Sequence, residues 1–466
     1  MSLKRYAKWL FLFVCWLTTR NTMAQQPILT LSEAIKMGLQ NFNSIKAKQR
    51  YQEASSVMVD NARRQFLPDV NTAIQQNYGT ANGQFGPLYS YKGVGIAAAG
   101  PNATSQNWNT AFGALYATNI NWEAYSFGRL AATLEVAKSQ VVRDSLDVLQ
   151  EKFAHTIKIG GAYFNVLAAQ KFVEVSKANL KRVTALQEVV KARAKNGLNA
   201  GVDSSIANAE VSNARLSVID AQNIEIQANS QLAVLLNLAP QHFELDSIYF
   251  VSIPSVLSSA TTIDSNPTLK FFESRITISD NLQKLYLRNK LPTVNLFGAF
   301  QTKASGFKND YTPDNQHIDG SYFGGISPSR SNFLIGAGVF WNFMAPTKIK
   351  KQIEAQKLIT EALKYEYAQT QNQLQNQYIL ADQRIANALL SYQESPIQLE
   401  AAKNAYEQKA LLYKNGLSNI IDLTQSLFVL NRAETNINVA YANVWQALLL
   451  KAATNGDVDL LMKQAR

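Results

Sequence analysis

The residues that most often carry chemistry are few and scattered in this sequence of 466 residues. The three histidines, His155, His242 and His317, lie far apart, and none has a cysteine or paired carboxylates at the spacing of a metal site. We find no nucleophile elbow, phosphate loop or dinucleotide fingerprint. Gly93-Val94-Gly95 is not a nucleotide site, because no helix is predicted after it. The sequence therefore predicts no enzyme, no metal, no cofactor and no nucleic-acid partner.

A polar motif that occurs twice points to a site of another kind. Lys195-Asn196-Gly197-Leu198, followed by Asp203, recurs 219 residues later as Lys414-Asn415-Gly416-Leu417, followed by Asp422. The same offset relates Trp122 to Trp341. A repeat of this length indicates two copies of one structural unit. Each motif is expected to join two helices.

The first residues predict export. Basic residues at 4–8 precede an apolar run and small residues before Ala24, which is typical of a signal peptide over residues 1–24. The run is shorter than the roughly 20 residues of a spanning helix, so an amino-terminal anchor is the weaker alternative. The only cysteine, Cys15, follows Val14 rather than a small residue, so we expect neither lipid attachment nor a disulfide. The formal charge of +11 favours no particular partner.

Two very long helices are predicted to lead to the two motifs. Over 128–195 there is no proline, and apolar residues step by three and four, as in a coiled coil. At 1.5 Å per residue, roughly 68 residues make a rod of about 100 Å. The second helix is predicted over 347–414, where Pro396 should kink or break it. A further helix is expected at about 31–65. On the helices alone, a soluble coiled coil is an equally good interpretation.

Four strands are predicted, at about 70–78, 108–122, 293–302 and 333–343. In each strand, alternate positions separate apolar and aromatic side chains from small and polar ones. A half-buried soluble sheet also alternates, but the export signal and the aromatic strand ends favour an outer membrane. We expect the membrane-interface aromatics to be Trp108, Trp122 and Trp341.

Four strands cannot close a barrel. An open edge in lipid leaves unpaired backbone groups that cost several kcal/mol each. The chain is therefore expected to oligomerise, and three copies would supply about 12 strands, an ordinary barrel size.

Together these features resemble the TolC-type outer-membrane efflux proteins. The resemblance rests on the tandem strand, strand and long-helix repeats, the Leu-Pro before each first strand, the passage from Trp122 to Arg129 and the twin Asn-Gly-Leu tips, and it covers residues 28–455. It implies a mainly α chain with a membrane β-barrel portion. It further implies a homotrimer in which a barrel of about 12 strands stands on a long α-helical barrel.

The resemblance also implies a function. The protein would be a porin-like, passive exit duct of a tripartite efflux or type I secretion system. It would sit in the outer-membrane lipid of a Gram-negative-type cell, with its helices projecting into the periplasm. Its partners would be a periplasmic adaptor protein and an inner-membrane transporter. The alternative is a periplasmic or surface helical protein with a structural or adhesion role.

The expected organisation is a first repeat over 25–240, a linker over 241–264 and a second repeat over 265–466. Within these repeats, the resemblance assigns adaptor docking to the tip residues, which are Asn196, Gly197, Leu198, Asn415, Gly416 and Leu417. It assigns a constriction to Tyr413, Asp422 and Gln425, where Gln425 replaces a second aspartate of the best-known member. The links that lock its aperture would here involve Lys195 and Ser418. Alternatively, the glycines only end helices, and Asp203 and Asp422 only begin the next ones.

Overall fold

The computed structural model describes residues 28–83, 102–197, 201–254, 262–308, 311 and 317–462. The predicted signal peptide, most of the loop before the second strand and Leu198 lie outside these residues. The chain divides into two compact units. The first contains Met1–Gln52, Arg143–Arg275 and Leu363–Arg466, and the second contains Glu53–Val142 and Ile276–Ala362.

Helices dominate the described chain. They are α1 Leu31–Asn41, α2 Asn43–Arg64, α3 Arg129–Lys195, α4 Gly201–Leu236, α5 Pro267–Arg288, α6 Tyr322–Ile326, α7 Ala345–Lys414, α8 Ile420–Asn455 and α9 Asp459–Met462. Two short 3-10 helices lie at Ser247–Phe250 and Ile263–Ser265. Within the described ranges, none of the helices combines the length and the apolar character that crossing a membrane requires.

The predicted helix at 31–65 is two helices. α1 begins at a capping box in which Thr30 and Glu33 satisfy each other's backbone N–H groups. It ends at Phe42, whose backbone is extended with φ −67° and ψ 122°. The Phe42 ring stacks on His155 at 3.8 Å between centroids. This long-range contact accompanies the interruption, and local helical periodicity could not reveal it.

A break at Pro396, one of the two predicted effects of this proline, is wrong. α7 runs without interruption for 70 residues with Pro396 inside it. A proline removes one backbone hydrogen bond from a helix. Pro396 is exposed, and the helix continues beyond it to Lys414.

The sheet has four antiparallel strands in the order β1-β2-β3-β4. They are β1 Asp69–Gly79, β2 Ala111–Tyr125, β3 Thr293–Ser305 and β4 Arg330–Phe340. The second strand begins three residues later than expected, because Asn107 accepts the Asn109 N–H in a turn. The fourth ends three residues earlier, where the Asn342 side chain accepts the Met344 N–H. Trp108 and Trp341 therefore flank strands rather than lie within them.

The core of the first unit centres on aromatic side chains from α3, α8 and the first 3-10 helix. Phe164 stacks on Trp445 at 5.8 Å, and Tyr249 meets Trp445 edge-on at 4.9 Å. Gly160 allows α8 to approach α3, because a Cβ there would lie 3.0 Å from Leu449. These contacts bring the first and second repeats together.

Candidate functional site

The second tip, residues 414–419 between α7 and α8, is built by a glycine. Gly416 has φ +77°, a left-handed conformation that most side chains disfavour. The Gly416 N–H donates to the Tyr413 carbonyl at 3.1 Å, and the Leu417 N–H donates to the Leu412 carbonyl at 2.9 Å. This pair of bonds is a Schellman motif. It leaves Leu417 73% exposed at the end of the helical hairpin.

The first tip starts in the same way. Gly197 has φ +70°, and its N–H donates to the Ala194 carbonyl at 3.0 Å. Asn196 and Gly197 are exposed, as are Asn415 and Gly416. The glycines therefore have the turn role that was one of the two interpretations. Both glycines are exposed, and docking of an adaptor at these tips stays a prediction.

Asp422 lies in the first turn of α8, the helix that follows the second tip. Asn419 caps α8 by accepting the Asp422 N–H at 2.8 Å. The Asp422 carboxylate accepts a hydrogen bond from Lys409 at 3.0 Å and a longer one from Ser418 at 3.4 Å. The bond and charge of Lys409 hold the pKa of Asp422 below its ordinary value of 3.8. Asp422 is therefore an ionised group whose charge is compensated within its own chain.

The other two predicted constriction residues differ in exposure. Gln425 is exposed one turn beyond Asp422. Tyr413, by contrast, is only 3% exposed and packs with Leu186, Val190, Ala207, Ile420 and Leu423. The Tyr413 side chain fills the space between helices of its own chain, and its place at a constriction stays a prediction.

Arg193 is a site residue that the sequence analysis missed. Its guanidinium donates to the Tyr413 and Lys414 carbonyls, both at 3.0 Å, and lies 5.3 Å from the centre of the Tyr413 ring. Lys409 was missed as well. The sequence could have revealed both residues, because they depart from the repeat. The offset of 219 pairs Arg193 with Leu412 and Lys409 with Val190. The contacts of Arg193 and Lys409 therefore have no counterparts at Leu412 and Val190, which carry no charge.

The sheet has two chemically distinct faces. On the apolar face, Val70 opposes Ile120, Thr118 opposes Phe300, and Phe300 opposes Phe333. On the polar face, Asn71 opposes Asn119, Asn119 opposes Ala299, and Gln301 opposes Asn332. The large side chains of the apolar face are exposed, and the most exposed are Ile74 at 70%, Phe333 at 79%, Ile335 at 81% and Val339 at 69%.

The chain itself covers one end of the apolar face. Tyr116 donates to the Ile326 carbonyl at 3.1 Å, and Tyr322 donates to Gln76 at 2.9 Å. The Phe112 ring meets Tyr322 edge-on at 5.1 Å. At this end the face therefore packs against α6, and Phe112 is not a freely exposed strand residue.

Two of the predicted interface tryptophans make equivalent contacts. The Trp122 indole N–H donates to the Phe66 carbonyl at 2.8 Å, and that of Trp341 donates to the Lys290 carbonyl at 3.0 Å. Phe66 and Lys290 each precede the Leu-Pro of their repeat, so the internal symmetry extends to single hydrogen bonds. Among the described residues, the Trp108 indole N–H makes no equivalent hydrogen bond, and Trp108 is 78% exposed.

The histidines His155 and His242 lie in separate environments. His155 is buried against Phe42, and His242 lies on the surface 3.4 Å from Glu225. No cluster of three metal-binding side chains occurs among the residues described. What the arrangement can do is line a passage, present helix tips and offer a sheet face to an apolar environment.

Comparisons with known proteins define the class. Residues 34–238 match a family described as "Outer membrane efflux protein". No curated protein sequence matches the chain significantly. The solved structure of CusC has a TM-score of 0.75 at 11% identity, with 93% of each chain covered. CmeC of Campylobacter jejuni has a TM-score of 0.73 at 14% identity, covering 91% of this chain and 85% of that one. VceC of Vibrio cholerae has a TM-score of 0.72 at 14% identity, covering 92% and 96%.

The chain therefore has the same fold as these solved outer-membrane channel structures. The family match over residues 34–238 confirms the resemblance to outer-membrane efflux proteins that was inferred from the repeats.

Proposed function

We propose that this protein is the passive outer-membrane exit duct of a tripartite efflux or type I secretion system. This proposal rests on the unpaired edges and the exposed apolar face of the sheet. Within the described chain, β1 and β4 are both open edges, and the apolar face between them is exposed. Such a sheet is stable only if its edges are paired and its apolar face is covered.

A ring of copies satisfies both requirements. If β1 of one copy pairs with β4 of the next, every edge closes, as backbone groups in lipid must. Three copies give about 12 strands, within the ordinary range of outer-membrane barrels. The apolar face then meets lipid, and the polar face of asparagine, glutamine, alanine and glycine lines a water-filled passage.

The tips suit contact with other proteins. In this proposal the helices project into the periplasm, and the tips meet a periplasmic adaptor that links the duct to an inner-membrane transporter. Leu417 is a large apolar side chain with 73% exposure. Neighbouring Gly416 would let a partner helix approach closely. Asn196, Gly197 and Asn415 are exposed at the same kind of turn.

The constriction is proposed at Asp422 and Gln425, near the end of the helices. Three-fold symmetry would repeat each side chain around the axis. Lys409 accompanies Asp422 at 3.0 Å, so the ring would contain equal numbers of carboxylates and ammonium groups rather than carboxylates alone. Its net field would be weaker than that of a ring of three carboxylates alone.

Cross-linking of the sheet edges tests the proposal. Cys15 is the only cysteine and lies in the predicted signal peptide, so pairs can be introduced without background. Gln75→Cys in β1 with Asn332→Cys in β4 should give dimers and trimers with a short bismaleimide in whole membranes. Ala117→Cys with Gln301→Cys is the matched control, because these residues are partners within one chain. That pair should give only internal cross-links.

The alternative structural or adhesion role predicts a different outcome. A periplasmic or surface scaffold would stay in solution without detergent, and its edge pair would give no trimer. It would also produce no conductance in planar bilayers, whereas the duct should conduct.

A further inference from the structure

One row of the polar face carries two positive charges side by side. The row crosses the sheet near the end where loops join β1 to β2 and β3 to β4, and it contains Gln75, Leu115, Lys303 and Arg330. Lys303 and Arg330 are direct cross-strand partners, so their Cβ atoms lie about 4.5 to 5.5 Å apart on one face. Both side chains are exposed.

Neither charge is balanced within the described residues. No ion pair joins Lys303 or Arg330 to any of them. The adjacent rows are neutral and contain Asn77, Gly113 and Ser305 on one side and Ala73, Ala117, Gln301 and Asn332 on the other. Asp319, in the connection after β3, is already engaged by Lys308 at 3.7 Å and by Ser321 at 2.6 Å.

The acids of the polar face are distant from this row. Asp69 lies six residues from Gln75 along β1, which is about 20 Å of strand. Glu123, at the same end of the sheet as Asp69, is paired with Arg129. Since charges in physiological salt are screened over about 8 Å, neither acid offsets Lys303 and Arg330.

Stability does not explain the pair. Like charges directly opposite each other destabilise a sheet. A basic residue on an edge strand can prevent aggregation, which would account for Arg330 on β4. It does not account for Lys303, because β3 lies between β2 and β4.

We propose that Lys303 and Arg330 form an anion-selecting ring inside the outer mouth of the duct. This rests on the proposed function, since it requires a closed ring of copies with the polar face inward. Three copies would place roughly six cationic groups around one level of the passage. A passage lined by one sign of charge concentrates ions of the opposite sign. The solute class favoured at this end is therefore one with net negative charge, and a passing anion would relieve the repulsion within each pair.

Ion selectivity in planar bilayers tests the ring. Under a KCl gradient, the wild-type protein should show a reversal potential that favours chloride. The double variant Lys303→Gln with Arg330→Gln should lower the chloride-to-potassium permeability ratio by roughly twofold or more, the size expected from unit charges about 8 Å from an ion in water. Lys303→Gln alone should give part of this shift. The exchange Lys303→Arg with Arg330→Lys should leave the ratio unchanged.

Lys284→Gln is the matched control, because it removes a positive charge from α5 in the same unit but not from the sheet. Its permeability ratio should equal that of wild type. Conducting wild-type channels with no anion preference, or a double variant with an unaltered ratio, would overturn the ring while leaving the duct intact. A shift from Arg330→Gln with none from Lys303→Gln would also overturn it. A wild-type protein that never conducts would instead contradict the duct itself.

Discussion

The guanidinium of Arg193, near the end of α3, donates a hydrogen bond of 3.0 Å to the backbone carbonyl of Tyr413, near the end of α7. Carbonyls in the last turn of a helix have no partner within that helix. Arg193 therefore caps α7 from a neighbouring helix, while Gly416 caps it from within. The two long helices, one from each repeat, are joined at their tips by a contact that the repeat itself does not duplicate.

Arg193→Leu should loosen the second tip, because leucine cannot donate hydrogen bonds to the Tyr413 and Lys414 carbonyls. Leucine is also the residue at the equivalent position of the second repeat, Leu412. Charge-assisted hydrogen bonds of this kind contribute about 1 to 3 kcal/mol. We expect faster amide hydrogen exchange over residues 410–417, measured by mass spectrometry. Arg193→Lys should lie between the two, because an ammonium group lacks the planar fork of donors. Unchanged exchange in Arg193→Leu would show that Gly416 alone holds the turn.

Lys409 and Asp422 should act as a compensating pair in conduction. Asp422→Asn leaves Lys409 unbalanced and should shift the bilayer reversal potential toward anion preference. Lys409→Gln should shift it toward cation preference. The double variant should return close to wild type, since it removes two opposite charges that lie 3.0 Å apart. A double variant that keeps the full shift of either single variant would contradict this compensation.

Neighbouring residues on β4 should respond oppositely to a new charge. Ile335 lies on the apolar face with 81% exposure, and Leu334 lies on the polar face with 58% exposure. Ile335→Arg should impair assembly, because an arginine facing lipid near the midplane costs about 2 to 4 kcal/mol. Leu334→Arg should be tolerated. The measurement is the amount of heat-modifiable trimer in outer membranes, and equal losses would reverse or remove the assigned faces.

Mild acid should weaken the first unit through His155. Its side chain is 1% exposed, its Nε2 lies 2.9 Å from the Leu235 carbonyl, and its Nδ1 has no hydrogen-bond partner among the described residues. Burial lowers the pKa of His155 from its ordinary value of 6.5. Between the folded pKa and 6.5 the unfolded chain binds more protons, so stability is highest above 6.5 and falls as the pH drops through this window.

The His155→Gln variant isolates this effect. Glutamine can still donate to the Leu235 carbonyl but does not titrate. Between pH 7.5 and 5.5, thermal melting in detergent should fall further for wild type than for His155→Gln. Parallel pH profiles for the two proteins would remove His155 from the explanation.

Much of the sheet was predictable from the order of its side chains. Alternation along a strand has a period of two, and the observed register sets residues such as Val70, Ile120 and Phe300 on one face. The repeat offset of 219 also located both tips. Such patterns are local, so one sequence can display them.

The remainder depended on contacts between distant segments. The break at Phe42 accompanies stacking on His155, and the burial of Tyr413 comes from helices of both repeats. The partial cover over Phe112 comes from α6, more than two hundred residues away. The predicted break at Pro396 failed for another reason. A single proline in a very long helix removes one backbone hydrogen bond without ending the helix.

Electron cryo-microscopy of the purified protein in lipid nanodiscs would show the assembly itself. We expect three copies whose sheets close through contacts between β1 and β4, with Ile335 toward lipid and Lys303 toward a water-filled passage. A monomer, or a closed assembly whose passage is lined by Ile335 and Phe333, would contradict this arrangement.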